Sequence, residues 1–258
     1  MTQSTTPSTA RPLLEIAAGS LGSALAAQAG GADRIELCAN LAEGGTTPSY
    51  GTLAVARDRV RIPLYAIVRP RAGDFCYDAA DVDVMRRDVE TCVALGYDGV
   101  VIGALDVNGD VDEATCRVLI NAASTLGVTF HRAFDVVRDR NAALEAIIAL
   151  GCDRVLTSGG AESALAGAET IAAAVRQASS RIRVMAGAGI TPNNIGDVAR
   201  RSNAHEFHAS ARSLHASPSR RRDHGLPGLD ADWQETDAGV VRAMVGALAR
   251  AQGFDVAS

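Results

Sequence analysis

The sequence predicts an α/β protein with a single-domain (β/α)8 TIM barrel, on three observations. The chain has 258 residues, about the length one such barrel needs. Eight short apolar, β-branched runs recur at intervals of roughly 20 to 35 residues, the length of a strand–helix unit. One junction is spelled three times, as Gly31-Ala32-Asp33-Arg34-Ile35, Gly96-Tyr97-Asp98-Gly99-Val100 and Gly151-Cys152-Asp153-Arg154-Val155. Each copy reads as a helix cap, a short turn and a buried strand, which favours repeated βα units over two unlike domains.

The strands are expected at 13–17, 34–38, 64–69, 99–102, 128–131, 154–157, 182–186 and 205–209. Their near-continuous hydrophobicity fits parallel strands covered on both faces. The segments between them read as helices. Those at 81–95, 112–126 and 140–150 each stop at a glycine (Gly96, Gly127 and Gly151), which closes the last turn. Residues 1–12 are rich in Ser, Thr and Pro and read as a disordered lead-in, with the barrel spanning 13–252. Residues 212–235 are polar, contain Pro218 and Pro227, and read as a long irregular loop. A final helix is expected at 237–251.

Composition excludes several chemistries. All 25 basic residues are Arg, and the chain contains no Lys. Schiff-base aldolases, pyridoxal-phosphate enzymes and P-loop hydrolases each need a lysine at the reacting centre. The net charge of −5 argues against general attraction to nucleic acid or anionic membranes. The run Arg220-Arg221-Arg222 is a local exception and reads as a solvated loop. No stretch is apolar enough to span a bilayer. The five cysteines are odd in number and lack CxxC spacing, so neither a disulfide framework nor a zinc ribbon is expected.

Chemistry in this architecture belongs at the C-terminal strand ends and in the loops that follow. Glu15 lies in strand one, and Glu36 and Cys38 end strand two. Arg69 and Arg71 follow strand three, with Asp74 and Cys76 just beyond. His131 and Arg132 end strand five, with Asp135 in the next loop. Ser158 follows strand six, and His208 ends strand eight. Carboxylates inside apolar strands need partners, and Arg69, Arg71 and His131 are the expected ones. Glu15, Glu36 and His131 are the acid–base candidates, with His131 first for proton transfer and a glutamate orienting it. The turns Ser158-Gly159-Gly160 and Gly187-Ala188-Gly189, the second followed by Thr191-Pro192-Asn193 as a helix start, read as an anion cradle. Arg69, Arg71, Asp74, Asp135, Ser158, Gly187, Gly189 and His208 are the candidate ligand-binding residues. A Ser158–His131–Asp135 triad can be written on paper, but no nucleophile elbow surrounds any serine.

Several blocks resemble the CutC family, named for copper homeostasis. They include Leu13-Leu14-Glu15-Ile16, Arg34-Ile35-Glu36-Leu37-Cys38 and Glu43-Gly44-Gly45-Thr46-Thr47-Pro48-Ser49. Further along come Arg69-Pro70-Arg71-Ala72-Gly73-Asp74-Phe75-Cys76-Tyr77, Thr129-Phe130-His131-Arg132-Ala133-Phe134-Asp135 and Met185-Ala186-Gly187-Ala188-Gly189. The resemblance runs from about residue 13 to 212. It implies a (β/α)8 barrel, a cytoplasmic location, a homodimer and Cu(I) binding through Cys38 and Cys76. The matched blocks are dominated by Arg, Glu, His and Asp, which are not soft ligands. Three readings stand side by side: a copper-homeostasis protein, an enzyme acting on a small phosphorylated or carboxylated molecule, and a catalytically silent binding barrel.

Overall fold

In the computed structural model, which describes residues 11–220 and 230–251, eight parallel strands close on themselves in chain order. They are β1 (Leu13–Ala18), β2 (Arg34–Leu37), β3 (Leu64–Ile67), β4 (Gly99–Ile102), β5 (Gly127–Phe130), β6 (Arg154–Thr157), β7 (Arg183–Gly187) and β8 (Glu206–Ala209). Each lies within two residues of its expected place. Seven helices follow the first seven strands, namely α1 (Leu21–Ala29), α2 (Tyr50–Arg59), α3 (Ala79–Leu95), α4 (Glu113–Ala123), α5 (Arg140–Ala149), α6 (Ala168–Ala178) and α7 (Ile195–Ser202). The chain closes with α8 (Ala238–Ala251). α3 opens two residues earlier than expected, because Asp78 rather than Asp81 caps it. α4 stops short of residue 126, at Ser124, whose φ of 57° ends the helix.

The repeated junction has a structural purpose. Gly31, Gly96 and Gly151 all take positive φ, which a glycine adopts without strain. The aspartate two residues on then bonds the start of the preceding strand. Asp33 accepts from the Leu14 N–H at 2.8 Å, Asp98 from Leu64 at 2.8 Å and Asp153 from Val128 at 2.7 Å. One turn therefore ties β1 to β2, β3 to β4 and β5 to β6.

The main core lies between barrel and helices, on outward residues such as Leu14, Ile16, Ile35, Leu37 and Phe207. Inward positions alternate with these. Following the ladder partners around the barrel returns to β1 displaced by eight residues. That stagger stacks the inward side chains in layers of four from alternate strands. From the bottom the layers are Arg34, Gly99, Arg154 and Glu206; then Glu15, Tyr65, Thr129 and Met185; then Glu36, Val101, Leu156 and His208; then Ala17, Ile67, His131 and Gly187. The interior is thus far more polar than the Val, Ile and Leu usual in such barrels.

The lower two layers form a plug. Arg34 pairs with Glu15 and, at 2.6 Å, with Glu206. Arg154 meets Glu206 at 3.2 Å and Thr129 at 3.1 Å. Both guanidiniums lie about 5 Å from the centre of the Tyr65 ring, Arg34 at 5.3 Å and Arg154 at 5.0 Å. Glycine makes this possible, since a Cβ at Gly99 would sit 2.0 Å from Tyr65 and one at Gly127 2.3 Å from its hydroxyl.

Residues 212–235 are not wholly irregular. Arg212–His215 (β9) and Trp233–Thr236 (β10) pair antiparallel. Thr236 Oγ1 donates to the Ser210 carbonyl, and Glu235 accepts from Ser20, so the hairpin is fastened to the start of α1. β9 is fully exposed and β10 is exposed at Trp233 and Gln234, so no alternation of apolar and polar residues marks them as strands. The expected tail (apart from Arg11 and Pro12) and Arg221 and Arg222 lie outside the described residues. Arg11 is described and pairs with Asp33.

Candidate active site

A cavity of about 690 Å³ opens at the C-terminal strand ends. Glu36, Cys38, Arg69, His131, Asp135, Gly189 and His208 line it. Glu15 lies directly beneath and has no exposed surface. Arg71, Asp74, Cys76, Ser158 and Gly187 do not line it.

The floor is built around His208. Its Nδ1 lies 2.8 Å from Glu15 Oε1, and its Nε2 lies 3.5 Å from Glu36 Oε2. Burial alone would raise the Glu15 carboxyl, but the Arg34 charge and the His208 contact outweigh it and bring it down to about 2. Glu36 is different. Burial and the nearby Glu15 charge push it up to about 7, only partly offset by His208. Burial opposes a charge on His208, yet the Glu15 hydrogen bond and the two carboxylates raise it overall. The result is one firmly ionised carboxylate, one imidazole and one carboxyl that titrates near neutrality.

The expected partners of the two glutamates are therefore corrected. Arg34 and His208 serve them, not Arg69, Arg71 or His131. Arg34 stands beside Glu15 in the β1–β2 ladder, whereas Arg69 stands two inward positions beyond Tyr65 on its strand.

His131 has another task. Its Nδ1 accepts from the Ala133 N–H at 3.1 Å, so Nε2 carries the ring proton. Burial, and then the Arg69 charge, lower it to about 3, which keeps the ring neutral. It is not the proton exchanger expected from sequence, and the Ser158–His131–Asp135 triad does not assemble. Asp135 instead organises the β6 loop. It accepts from Arg132 Nε at 2.7 Å, Thr157 Oγ1 at 2.6 Å, Ser158 N at 3.0 Å and Gly160 N at 3.1 Å.

The arginines expected to hold an anion are largely spent on loops. Arg69 donates to the carbonyls of Glu43, Gly45 and Gly73. Arg71 bonds Asp74, Asp81 and the Cys76 carbonyl. Gly187 serves packing, since a Cβ there would sit 2.6 Å from Leu156 and 3.3 Å from His208. The turn after it does face the cavity, with Ala188 at φ 85° and Gly189 at φ 63°. Thr191 accepts from Asn194 and Ile195, so the turn runs on toward α7. Arg212, just past β8, also lines the cavity, and among the described residues its recorded hydrogen bond is from Nε to Ser210 Oγ at 3.2 Å. Sequence reading missed it by placing it in the irregular segment. Among the described residues three buried polar atoms have no hydrogen-bond partner, His131 Nε2, Arg69 Nε and the Tyr77 hydroxyl; the first two belong to residues that line the cavity. Each such group costs about 1–3 kcal/mol.

The thiols turn to different carbonyls. Cys38 Sγ donates to Ala18 at 3.4 Å, and Cys76 Sγ donates to Asp106 at 3.3 Å. Burial, reinforced by Glu36, pushes the Cys38 thiol well above its ordinary value, which opposes the thiolate that Cu(I) needs. The Met185 sulfur is engaged by Arg34 at 3.4 Å. These donors do not fit a Cu(I) centre. Among the described residues, Glu15, Glu36 and His208 are the group whose ligand atoms come within 4.8 Å of one another. Oxygen and imidazole donors suit a harder divalent ion. Here, however, the Glu15 oxygens are taken by Arg34 and His208, and the two ring nitrogens face different carboxylates.

Comparison with known proteins agrees with this architecture. Residues 12–213 match the model of the CutC family. A family protein CutC from Xanthomonas axonopodis pv. citri is 59% identical over 92% of this chain and 99% of its own length. Another, from Parabacteroides distasonis, is 48% identical over 83% of this chain and 89% of its own. Among solved structures, the putative copper homeostasis protein CutC from Streptococcus agalactiae superposes with a TM-score of 0.74 at 32% identity. That superposition covers 77% of this chain and 98% of the other. Phosphoribosylanthranilate isomerase from Pyrococcus furiosus shares the fold alone, at a TM-score of 0.57 and 12% identity. By its matched length and by these identities, the chain belongs to the CutC family.

Proposed function

We propose that the barrel is an enzyme that moves a proton on a small anionic metabolite bound in the mouth cavity. Glu36 and His208 form the acid–base pair, Glu15 fixes the tautomer and orientation of His208, and Arg212 with the Ala188–Gly189 turn holds the anion. One observation carries this reading. Glu36 is buried at the cavity floor, its nearest donor is His208 Nε2 at 3.5 Å, and it is raised to about 7. A carboxyl that titrates at working pH inside a closed barrel is what general acid–base catalysis needs. The test is a thermal-shift panel of phosphorylated and carboxylated metabolites. A ligand that raises Tm should lose its effect in Arg212→Ala and keep it in Glu36→Gln. A full panel without a shift overturns the reading.

Copper handling is the second reading. It is supported by the Cys38 thiol in the cavity wall and by the description of the Streptococcus protein. The donors around Cys38 are hard oxygen and nitrogen atoms, which Cu(I) does not favour. A cytosolic homodimer, the expected setting, suits a chain whose five cysteines are all free. Fractionation and sedimentation test those two points.

A further inference from the structure

Building on the proton-transfer reading, we infer that the reacting end of the ligand is a carbonyl, whose oxygen is received by the N–H groups of His131 and Arg69. The substrate class is a small aldehyde, ketone or keto acid with a hydrogen on the neighbouring carbon and an anionic group at its other end.

The inference starts from register. Extending the ladders by one inward step sets Arg69, Gly103 and His131 side by side on β3, β4 and β5. Gly103 contributes no side chain, and a Cβ there would lie 2.5 Å from both Cε1 and Nδ1 of His131. The imidazole therefore lies in the gap that glycine leaves. Its other face meets the Phe75 ring, with centroids 5.0 Å apart, and Phe75 in turn lies 5.0 Å from the Arg69 guanidinium carbon. Arg69, Phe75 and His131 all line the cavity. His131 Nε2 and Arg69 Nε are buried donors without a hydrogen-bond partner, as is the Tyr77 hydroxyl, which interacts with Arg69 but does not line the cavity. Proteins rarely leave two such groups in one wall without a purpose.

The chemistry follows from what these donors can and cannot do. His131 is anchored through Nδ1 to Ala133 and is neutral, so Nε2–H donates without giving up its proton. A fixed neutral N–H suits an oxygen that gains negative charge. Glu36 lies one layer deeper on the same cavity. As a carboxylate it takes a proton from the carbon beside the carbonyl. The C–H electron pair becomes a C=C bond, and the carbonyl π pair moves onto oxygen, leaving an enolate against His131 and Arg69. Return of the proton to the same carbon restores the original carbonyl compound. Where that carbon also bears a hydroxyl, passage of the hydroxyl proton to the first oxygen and of the carbon-bound proton from Glu36 to the former carbonyl carbon gives the isomeric carbonyl compound. The step needs no oxidant, reductant or second substrate.

The test compares 2-phosphoglycolate, whose carboxylate copies the flat charged enolate, with ethyl phosphate, which lacks it, by calorimetric titration of the full chain. His131→Asn retains an acceptor for the Ala133 N–H and removes the Nε2–H together with the ring that packs on Phe75. The expected result is at least tenfold tighter binding of 2-phosphoglycolate, falling to within twofold of ethyl phosphate in the variant. Should His131→Asn fail to fold, the His131 Nε2–H resonance of the wild type must shift on addition of 2-phosphoglycolate and not of ethyl phosphate. Equal affinity for the two probes, or an unmoved resonance, overturns the carbonyl assignment and leaves the anion reading standing. Binding of neither probe overturns the anion reading itself.

Discussion

His208 stands between two glutamates, 2.8 Å from Glu15 through Nδ1 and 3.5 Å from Glu36 through Nε2, and the two carboxyls are driven in opposite directions. Glu15 sits at about 2 and Glu36 at about 7. The lower one works as a fixed charge and the upper one as a titrating group. Pairs of titratable groups pushed apart in this way commonly mark acid and base roles.

Stability should record this split. Glu36 is raised above its ordinary 4.5, so folding favours its protonated form. Its contribution is complete below about 4.5 and is lost as pH rises through 7. His208 is also raised, and its contribution fades only above its ordinary 6.5. Glu15 is lowered, so its contribution is present above 4.5 and is lost as pH falls toward 2. Glu36→Gln should therefore have nearly the wild-type Tm at pH 4 and a higher relative Tm at pH 8. The gain should be roughly 4–8 °C, for an effect of at most about 3 kcal/mol. Calorimetric scans from pH 4 to 8 check this, and a difference that shrinks with rising pH contradicts it.

Arg34 is the keystone of the plug. Arg34→Met leaves the buried carboxylates of Glu15 and Glu206 without their shared cation. The expected loss is about 3–5 kcal/mol, read from urea unfolding. Adding Glu15→Gln to Arg34→Met should recover part of that loss, because one stranded charge is removed.

Gly103→Ala tests the gap beside His131. The new methyl lies 2.5 Å from the ring, and the ring is held at Nδ1 and packed by Phe75 and Phe130. Overpacking of this kind costs about 1–3 kcal/mol. The His131 ring resonances should move while the far-UV spectrum stays the same. An unperturbed ring would mean that the slot has slack.

Cys38→Ser and Cys76→Ser, made singly, should each leave Cu(I) affinity within about twofold of wild type in competition with a chelator, because the thiols serve different carbonyls. A drop of tenfold or more in both variants would instead favour copper as the cargo of this barrel.

Much of the fold was legible because its signals are local. Short runs, β-branched in most cases, marked all eight strands, and the Gly-x-Asp junction marked the repeat before its purpose was visible. The β9–β10 hairpin left no trace, since most of its side chains are exposed or half-exposed and the bonds that fasten it, from Thr236 and Glu235, reach residues distant in sequence. The site was legible at one level and illegible at the next. Glu15, Glu36, His131 and His208 stand out as polar residues in apolar strands. Their pairing depends on the barrel stagger, which no single strand encodes. Arg34 sits at a strand entrance, where an arginine looks like ordinary surface charge. His131 looked like a base because histidine usually can be one; burial and the Ala133 N–H make it a donor instead.

The charged plug beneath Glu15 gives the barrel a bottom. Among the described residues the cavity is lined at its rim by Arg212 and the Ala188–Gly189 turn, so a molecule that enters there leaves past the same residues. If the cavity is the proposed proton-transfer site, a product held over Glu36 excludes the next substrate, and its inhibition should be competitive.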